Sequence, residues 1–277
     1  MKKYTYPSVL TIAGFDGSGG AGIQADIKTF SALGCYATSV LTALPVQNTQ
    51  GVRKIYPIPM QVVEEQIEAV LDDIFPMAIK IGMVHTPELV ETIVKTLTKY
   101  PKIPMVFDPV MVATSGHRLI EEETIAAIIK KLFPIAEIIT PNMDEAAILA
   151  NMEVKTVEDM ETAGRIILKS GCKNILLKGG HLESTIITSL LLSENGKLTS
   201  FETEKFITSN THGSGCTLSS AIAAFLARGE DLDYAVTLAQ KYVFEAIKNG
   251  KDVITGKGNG PLNHFFNPHK LIKNDLV

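Results

Sequence analysis

The stretch Ser8-Val9-Leu10-Thr11-Ile12-Ala13-Gly14-Phe15-Asp16-Gly17-Ser18-Gly19-Gly20-Ala21-Gly22 sets the frame for the chain. Its first six residues form a short apolar run ahead of a turn signal, which reads as a buried strand. Four glycines follow in the six positions Gly17 to Gly22, and Ile23 to Leu33 reads as a helix. Strand, glycine turn and helix in succession open a βα unit. The glycines exceed what a turn needs, which favours a backbone cradle around a ligand over a plain packing turn. Gly17, Gly19 and Gly22 formally match G-x-G-x-x-G. A dinucleotide site of that kind also needs an acid about 20 residues on to hold a ribose. After Asp26 the next acid is Glu64, which sets a dehydrogenase aside.

The same alternation continues outward. Tyr36 to Leu44 reads as a strand. Val62, Val63, Ile67, Val70, Leu71 and Ile74 recur at helical spacing and mark an amphipathic helix from Met60 to Phe75. Ala78 to Ile81 reads as a strand, Glu88 to Thr98 as a helix, and Ile103 to Asp108 as a strand. Ile125, Ile128, Ile129, Leu132 and Phe133 mark a further helix face. Glu137 to Thr140 follows as a strand, then helices over Asn142 to Ala150 and Val157 to Ser170, and a strand over Asn174 to Lys178. Thr185 to Leu192 and Leu198 to Phe206 flank Asn195-Gly196, a strong hairpin signal. Thr217 to Leu226 and Tyr234 to Lys248 close the series as helices, and the tail from Gly250 is rich in Gly, Pro and Asn. Apolar strands alternating with helices predict a three-layer α/β/α sandwich on a mainly parallel sheet. Without a linker or internal repeat, one domain over residues 1–277 is expected.

Composition narrows the function classes. Of 277 residues, 26 are Lys or Arg and 30 are Asp or Glu, a net charge of −4. That balance offers no cationic surface for nucleic acid or membrane. The cysteines Cys35, Cys172 and Cys216 stand far apart, with no zinc-like spacing. Their odd number fits reduced thiols in a cytoplasmic protein. The uncharged stretches Thr29 to Val52 and Phe206 to Ala227 are too polar to span a bilayer.

In such sheets ligands sit at the carboxyl ends of the strands. Thr211-His212-Gly213-Ser214-Gly215-Cys216-Thr217 opens an apolar helix and would expose free N–H groups at its positive end, an anion site. It is not a Walker A loop, and His212 alone reads as a structural hydrogen bonder. Lys178-Gly179-Gly180 ends an apolar strand, so Lys178 could meet phosphate oxygens or simply be solvated. Asn142 and Glu145 fit a capping box. Glu145 also fits an outer-shell acceptor for magnesium-bound water, and Asp108 is a second candidate of this kind.

Taken together and in order, AGFDGSGGAGIQAD, TALPVQNT, KIGM, DPVM, TPNMDEA, LLKGGHL, NTHGSGCT and GKGNGP resemble the hydroxymethylpyrimidine/phosphomethylpyrimidine kinases of thiamine biosynthesis, within the ribokinase-like superfamily. The resemblance runs from Leu10 to about His264. It implies a sheet of eight or more strands, ATP and Mg²⁺, and usually a homodimer. The implied reaction moves the γ-phosphoryl group to the hydroxyl of 4-amino-5-hydroxymethyl-2-methylpyrimidine, then phosphorylates the monophosphate. Carried over, Gln47 would bond the aminopyrimidine, an amide being donor and acceptor together. Gly14, Ala21, Met83 and Val110 would line the pocket, with Asp26 near it. Lys178 would meet the ATP phosphates. Gly213, Ser214, Gly215 and Cys216 would form the anion hole, and Thr211 and Lys257 would lie by the nucleotide. Pro45 and Phe15 depart from the usual pattern, which would shift the pocket wall and narrow access.

Two further readings stay open, a pyridoxal kinase on the same scaffold and a member that only binds its ligand. The run Ala43 to Thr49 with Gln47 favours the pyrimidine, and Lys178, the glycines, Cys216 and Glu145 together favour an enzyme. For Cys216 the helix start is expected to lower the thiol pKa from about 8.5 toward neutrality and make it a general base.

Overall fold

The computed structural model describes residues 3–111, 120–180, 182 and 184–275. The chain runs β1 (Tyr4–Thr5), β2 (Ser8–Ala13), α1 (Gly22–Ala32), β3 (Tyr36–Leu41), β4 (Ala43–Asn48), β5 (Gly51–Pro57), α2 (Met60–Leu71), β6 (Ala78–Ile81), α3 (Pro87–Leu97) and β7 (Met105–Phe107). It continues with α4 (Glu122–Ala127), β8 (Ile138–Ile139), α5 (Met143–Ala150), α6 (Val157–Leu168), β9 (Asn174–Lys178), β10 (Ile186–Ser193), β11 (Leu198–Glu204), α7 (Ser214–Ala227), α8 (Leu232–Gly250) and β12 (Asn274–Asp275). His181 of the Lys-Gly-Gly-His run lies outside the described residues.

Eight strands form one sheet in the order β11-β10-β9-β8-β7-β6-β2-β3. From β9 to β3 every pairing is parallel. The hairpin turning at Asn195-Gly196 adds β10 and β11 antiparallel at the edge. Alternation along each strand divides the core. Leu10, Ile12, Ile79, Ile81, Ile139, Ile175 and Leu177 pack toward the side chains of α2 to α6. Val9, Ala78, Val106, Ile138, Leu176 and Leu191 pack toward α1, α7 and α8. The result is the three-layer sandwich that the segment pattern predicts. No described helix is long and apolar enough to cross a membrane.

The run Tyr36 to Leu44 is not one strand. The chain breaks at Thr42, whose N–H donates to the Ala13 carbonyl and whose hydroxyl donates to that of Met83. It resumes as β4, which pairs only with β5 in a separate two-stranded ribbon, bulged between Val46 and Gln47. Pro45 inside β4 hides this strand from a pattern reading. Helix α7 begins at Ser214, three residues earlier than its apolar run implies, and Gly213 caps it at φ +82°. The face after α4 winds through a π turn at Ile128–Leu132 and a 3₁₀ turn at Phe133–Ile135, where Pro134 forbids a continuing helix.

One ion pair lies within this frame without solvent contact. Lys80, the single charge in the strand Ala-Ile-Lys-Ile, reaches Asp26 of α1 at 2.9 and 3.0 Å, and both side chains have zero exposure. Thr11 and Ser220 donate to the same carboxylate at 2.6 and 2.7 Å. Burial alone would lower the lysine's pKa, but the Asp26 carboxylate beside it holds it above its ordinary value. Removing one partner strands a buried charge. Lys80→Met is therefore expected to cost about 3–5 kcal/mol in urea unfolding at pH 7, and Lys80→Met with Asp26→Leu to recover most of it. A single variant within about 1 kcal/mol of the parent would contradict the pair's role.

Candidate active site

Two glycine loops meet above the carboxyl ends of β2 and β9. The loop after β2 carries Gly14 to Gly22, and the loop before α7 carries Thr211 to Gly213. A Cβ at Gly213 would overlap the Gly20 carbonyl oxygen, and one at Gly22 would overlap that of Gly14. Gly213 and Gly22 also hold positive φ, at +82° and +55°. Only glycine allows this approach.

Asp16 locks the loops together. Its buried carboxylate accepts from the backbone N–H of Ser18 at 2.9 Å, Gly20 at 3.1 Å and Ala21 at 2.7 Å. His212 Nε2 lies 2.8 Å away. The Gln47 side chain of β4 lies near enough to the same carboxylate to lower its pKa. Burial pushes the carboxyl upward, but His212, Gln47 and Ser18 outweigh it and hold Asp16 well below the usual carboxylate range. His212 is thus the structural hydrogen bonder expected.

In the first turn of α7 the Ser214 N–H donates to the Thr211 carbonyl at 3.1 Å, and Gly215 comes to the end of β9. A Cβ at Gly215 would lie 3.3 Å from Lys178 Nζ and 3.6 Å from Asp108 Oδ2. Lys178 pairs with Asp108 at 2.9 Å, and Thr140 donates to the same oxygen at 2.9 Å. Burial favours the neutral amine, yet Asp108 and Glu145 override it and keep Lys178 cationic, its pKa raised. Ser219 Oγ lies 3.4 Å from Asp108, and Ser220 donates to Asp26, so both buried ion pairs pin α7 one turn beyond Cys216.

Cys216 corrects the sequence expectation. Its thiol is not lowered toward neutrality. Burial pushes it up to about 11, with Asp26 and Asp108 adding to the shift, while Lys80 and a hydrogen bond from Gly22 oppose it. The helix start is outweighed by the loss of water. Cys35 and Cys172 are buried packing residues, each pushed up to about 12 by burial.

Glu145 forms the capping box. Its carboxylate accepts from the Asn142 N–H at 2.7 Å, and the Asn142 side chain accepts from the Glu145 N–H at 2.9 Å. The Met111 N–H adds a longer bond at 3.4 Å. Burial raises the Glu145 carboxyl to about 7, Lys178 pulling it down and Asp108 pushing it up. Among the described residues no group of three or more His, Cys, Asp or Glu gathers around a cation position.

The other expected residues fall in two zones. Gly14 and Met83 adjoin, the Met83 sulfur 3.8 Å from a Cβ placed on Gly14. Ala21 and Val110 are half-buried beside the loops. Asp26 lies beneath the site with no exposed surface, its oxygens taken by Lys80, Thr11 and Ser220, so it supports α7 and presents nothing to a substrate. Thr211 and Lys257 are exposed. The tail around Lys257 crosses to the β4–β5 turn, where Gly258 and Asn259 donate their N–H groups to the Thr49 hydroxyl and carbonyl at 3.1 and 2.9 Å. Asn210 fastens the same tail through the Gly250 and Val253 carbonyls at 2.7 and 2.6 Å.

Asp16, Lys80 and Thr49 escape the sequence reading as functional positions. A lone lysine in an apolar strand is a signal that could have revealed Lys80, since a buried charge demands a partner. Thr49 acquires its role only through contacts distant in sequence, and Asp16 joins its own loop to the distant His212.

The phosphomethylpyrimidine kinase family matches residues 16–263. The hydroxymethylpyrimidine/phosphomethylpyrimidine kinase of Staphylococcus aureus is 42% identical over 257 residues, covering 92% of each chain. The thiamine biosynthesis bifunctional protein ThiED of Geobacter sulfurreducens is 42% identical over 93% of this chain, which spans 52% of that relative; a bifunctional enzyme of rice is spanned to 49%. Among solved structures, the Clostridium difficile phosphomethylpyrimidine kinase superposes with a TM-score of 0.76 at 45% identity, covering 87% of this chain and 99% of that one. The Staphylococcus aureus pyridoxal kinase in complex with ADP reaches 0.87 at 34% identity, covering 98% and 100%.

The raised Cys216 thiol gives a direct expectation. Alkylation of the unliganded protein by iodoacetamide should reach Cys216 first, because Cys35 and Cys172 are buried. Its rate should climb about tenfold per pH unit up to about pH 10. A plateau between pH 7 and 8 would show a pre-ionised thiolate and contradict the burial argument.

Proposed function

The chain belongs to the phosphomethylpyrimidine kinase family, and on that premise we propose that it transfers the γ-phosphoryl group of ATP to 4-amino-5-hydroxymethyl-2-methylpyrimidine and then to the monophosphate, the thiamine-pathway reaction. The placement of Lys178 and Asp108 against Gly215, at the open start of α7, carries the reading. Phosphoryl transfer needs positioned charge more than covalent chemistry. The α7 N–H groups of Gly213 to Cys216 receive the equatorial oxygens, and Lys178 leaves Asp108 in part to meet the triphosphate. Gln47 takes the aminopyrimidine edge, with Gly14, Ala21, Met83 and Val110 as its apolar walls. Thr211 and the tail at Lys257 border the nucleotide.

Mg²⁺ fits this donor set as a cation held mainly by phosphates and water. The Glu145 and Asp108 oxygens already accept bonds, and a carboxylate's remaining lone pairs suit a metal-bound water rather than a cage. When bound, the cation supplies charge neutralisation on the triphosphate. Cys216 sits as a neutral thiol beside the acceptor hydroxyl and helps shape the anion hole, while the hydroxyl's proton leaves late, to an oxygen of the arriving phosphoryl group. The protein is proposed to work as a cytoplasmic homodimer. The exposed Leu44, Val46, Val52 and Tyr56 on the β4–β5 ribbon support a partner surface.

The whole-chain similarity to a pyridoxal kinase keeps pyridoxal as the second reading. The deciding experiment runs both substrates with ATP on the purified protein and identifies the products by mass. Monophosphate then diphosphate from the pyrimidine, with pyridoxal slower, supports the proposal, whereas faster turnover of pyridoxal overturns it. Lys178→Met should lower kcat by roughly 10²–10³. Glu145 has to be ionised to accept from metal-bound water, and its pKa is near 7. Activity at subsaturating Mg-ATP should therefore rise with pH through about 7, being lost below that point, and Glu145→Gln should remove the step. An unchanged profile in Glu145→Gln would rule out this role.

A further inference from the structure

The ribbon that carries Gln47 belongs to no larger sheet. β4 pairs with β5 alone, and two strands by themselves are marginally stable in water. Its posture over the site therefore rests on what holds its two ends. At the root, Phe15 donates its N–H to the Ala43 carbonyl at 3.0 Å, and buried Thr42 donates to the Ala13 and Met83 carbonyls. At the tip, Thr49 accepts twice from the tail, on its hydroxyl from the Gly258 N–H and on its carbonyl from the Asn259 N–H. The approach is close, since a Cβ on Gly258 would overlap the Thr49 carbonyl oxygen. The tail is fixed on its other side as well. The Gly260 carbonyl accepts from the His212 N–H at 3.1 Å, one residue before Gly213, and Asn210 holds the Gly250 and Val253 carbonyls. Residues 258–260 thus form a strap between the ribbon tip and the loop that opens α7.

We propose that Thr49 is a positioning residue. Through the strap it holds Gln47, two residues earlier in the chain, at a set distance from the anion-hole turn, and so fixes where the acceptor hydroxyl lies relative to the incoming phosphoryl group. A displaced acceptor is costly, because transfer needs near-attack geometry. The bond to the Thr49 hydroxyl is exposed, so water can replace it and the tip can lift without unfolding the core. The ribbon then has two postures, strapped and lifted, and only the strapped one brings the acceptor to the phosphate. Linkage works in both directions: what the strap contributes to acceptor binding, a bound acceptor returns to the strap.

This inference rests on the kinase reading, and its test uses whichever acceptor the wild type phosphorylates, the hydroxymethylpyrimidine or pyridoxal. Thr49→Val keeps the branched side chain and loses the hydroxyl, Thr49→Ser keeps the hydroxyl, and Gly258→Ala drives a methyl group into the Thr49 carbonyl. The kcat/KM for the acceptor is expected to fall about threefold to tenfold in Thr49→Val and more than about tenfold in Gly258→Ala. Thr49→Ser should stay within about twofold of the wild type, as should the KM for ATP in Thr49→Val. Both Thr49→Val and Gly258→Ala break one contact, so the double variant should lose no more than Gly258→Ala alone. Losses that multiply in the double variant, or a Thr49→Ser as impaired as Thr49→Val, would make Thr49 a merely structural residue. A second measurement needs no variant. In the wild type, amide exchange at Gly258 and Asn259, followed by ¹⁵N-resolved NMR, should slow at least about fivefold on saturation with the acceptor alone. The bonded Gly196 amide of the distant hairpin should not change. No slowing at Gly258 and Asn259 would overturn the proposal while the kinase reading stands. Turnover of pyridoxal but not of the pyrimidine would overturn the aminopyrimidine reading alone, the strap being judged with pyridoxal, and turnover of neither would overturn both.

Discussion

The Gly20 carbonyl rests against the α carbon of Gly213, with no room for a side chain between them. That contact joins the loop that follows the second strand to the loop that opens α7, two segments almost two hundred residues apart. Everything chemical in the molecule is arranged around it. On one side Asp16 gathers the N–H groups of its own loop and draws in His212, with Gln47 close by. On the other, the first turn of α7 comes to face Lys178 and Asp108. A methyl group at either glycine would push the substrate side and the phosphate side apart, and near-attack geometry tolerates only small displacements.

Beneath the loops lie two acid–lysine pairs, Asp26 with Lys80 and Asp108 with Lys178, and two adjacent serines of α7 reach one pair each. Buried charges of this kind contribute little net stability, but they fix geometry because each must keep its partner. They also settle the state of Cys216. A helix start can stabilise a thiolate by up to ~2 kcal/mol. Here the withdrawal of water, reinforced by two carboxylates, is the larger effect, and the thiol stays protonated.

Most of the frame was legible in the residues. The strands from Ala78 to Ile81 and from Asn174 to Lys178 stand where the apolar runs place them, and Asn195-Gly196 turns the edge hairpin. These signals are local, carried by period and turn chemistry. The ribbon of β4 and β5 was not legible, since it pairs outside the main sheet and carries a proline. Of the site, Lys178, Asp108, Glu145 and the α7 glycines come together as their positions at strand ends and helix starts imply. Asp26 goes beneath the site, and Asp16 comes to its centre. Both outcomes depend on which side chain meets which across the fold, and no single stretch of sequence encodes that. The protonation of Cys216 was misjudged for the same reason, because desolvation is a property of the assembled neighbourhood.

The bond between the Gly258 N–H and the Thr49 hydroxyl spans 209 positions of the chain. On a ribosome the two ends of that bond are separated in time. At ~5–20 residues per second, roughly 10–40 s pass between the appearance of the ribbon and the segment that clasps it. Through that interval the β4–β5 ribbon, with Leu44, Val46, Val52 and Tyr56 exposed, hangs from a growing sheet without its fastening. The vulnerable period of this protein is therefore its synthesis, and it closes only when the segment around Gly258 follows the ribbon by 209 positions.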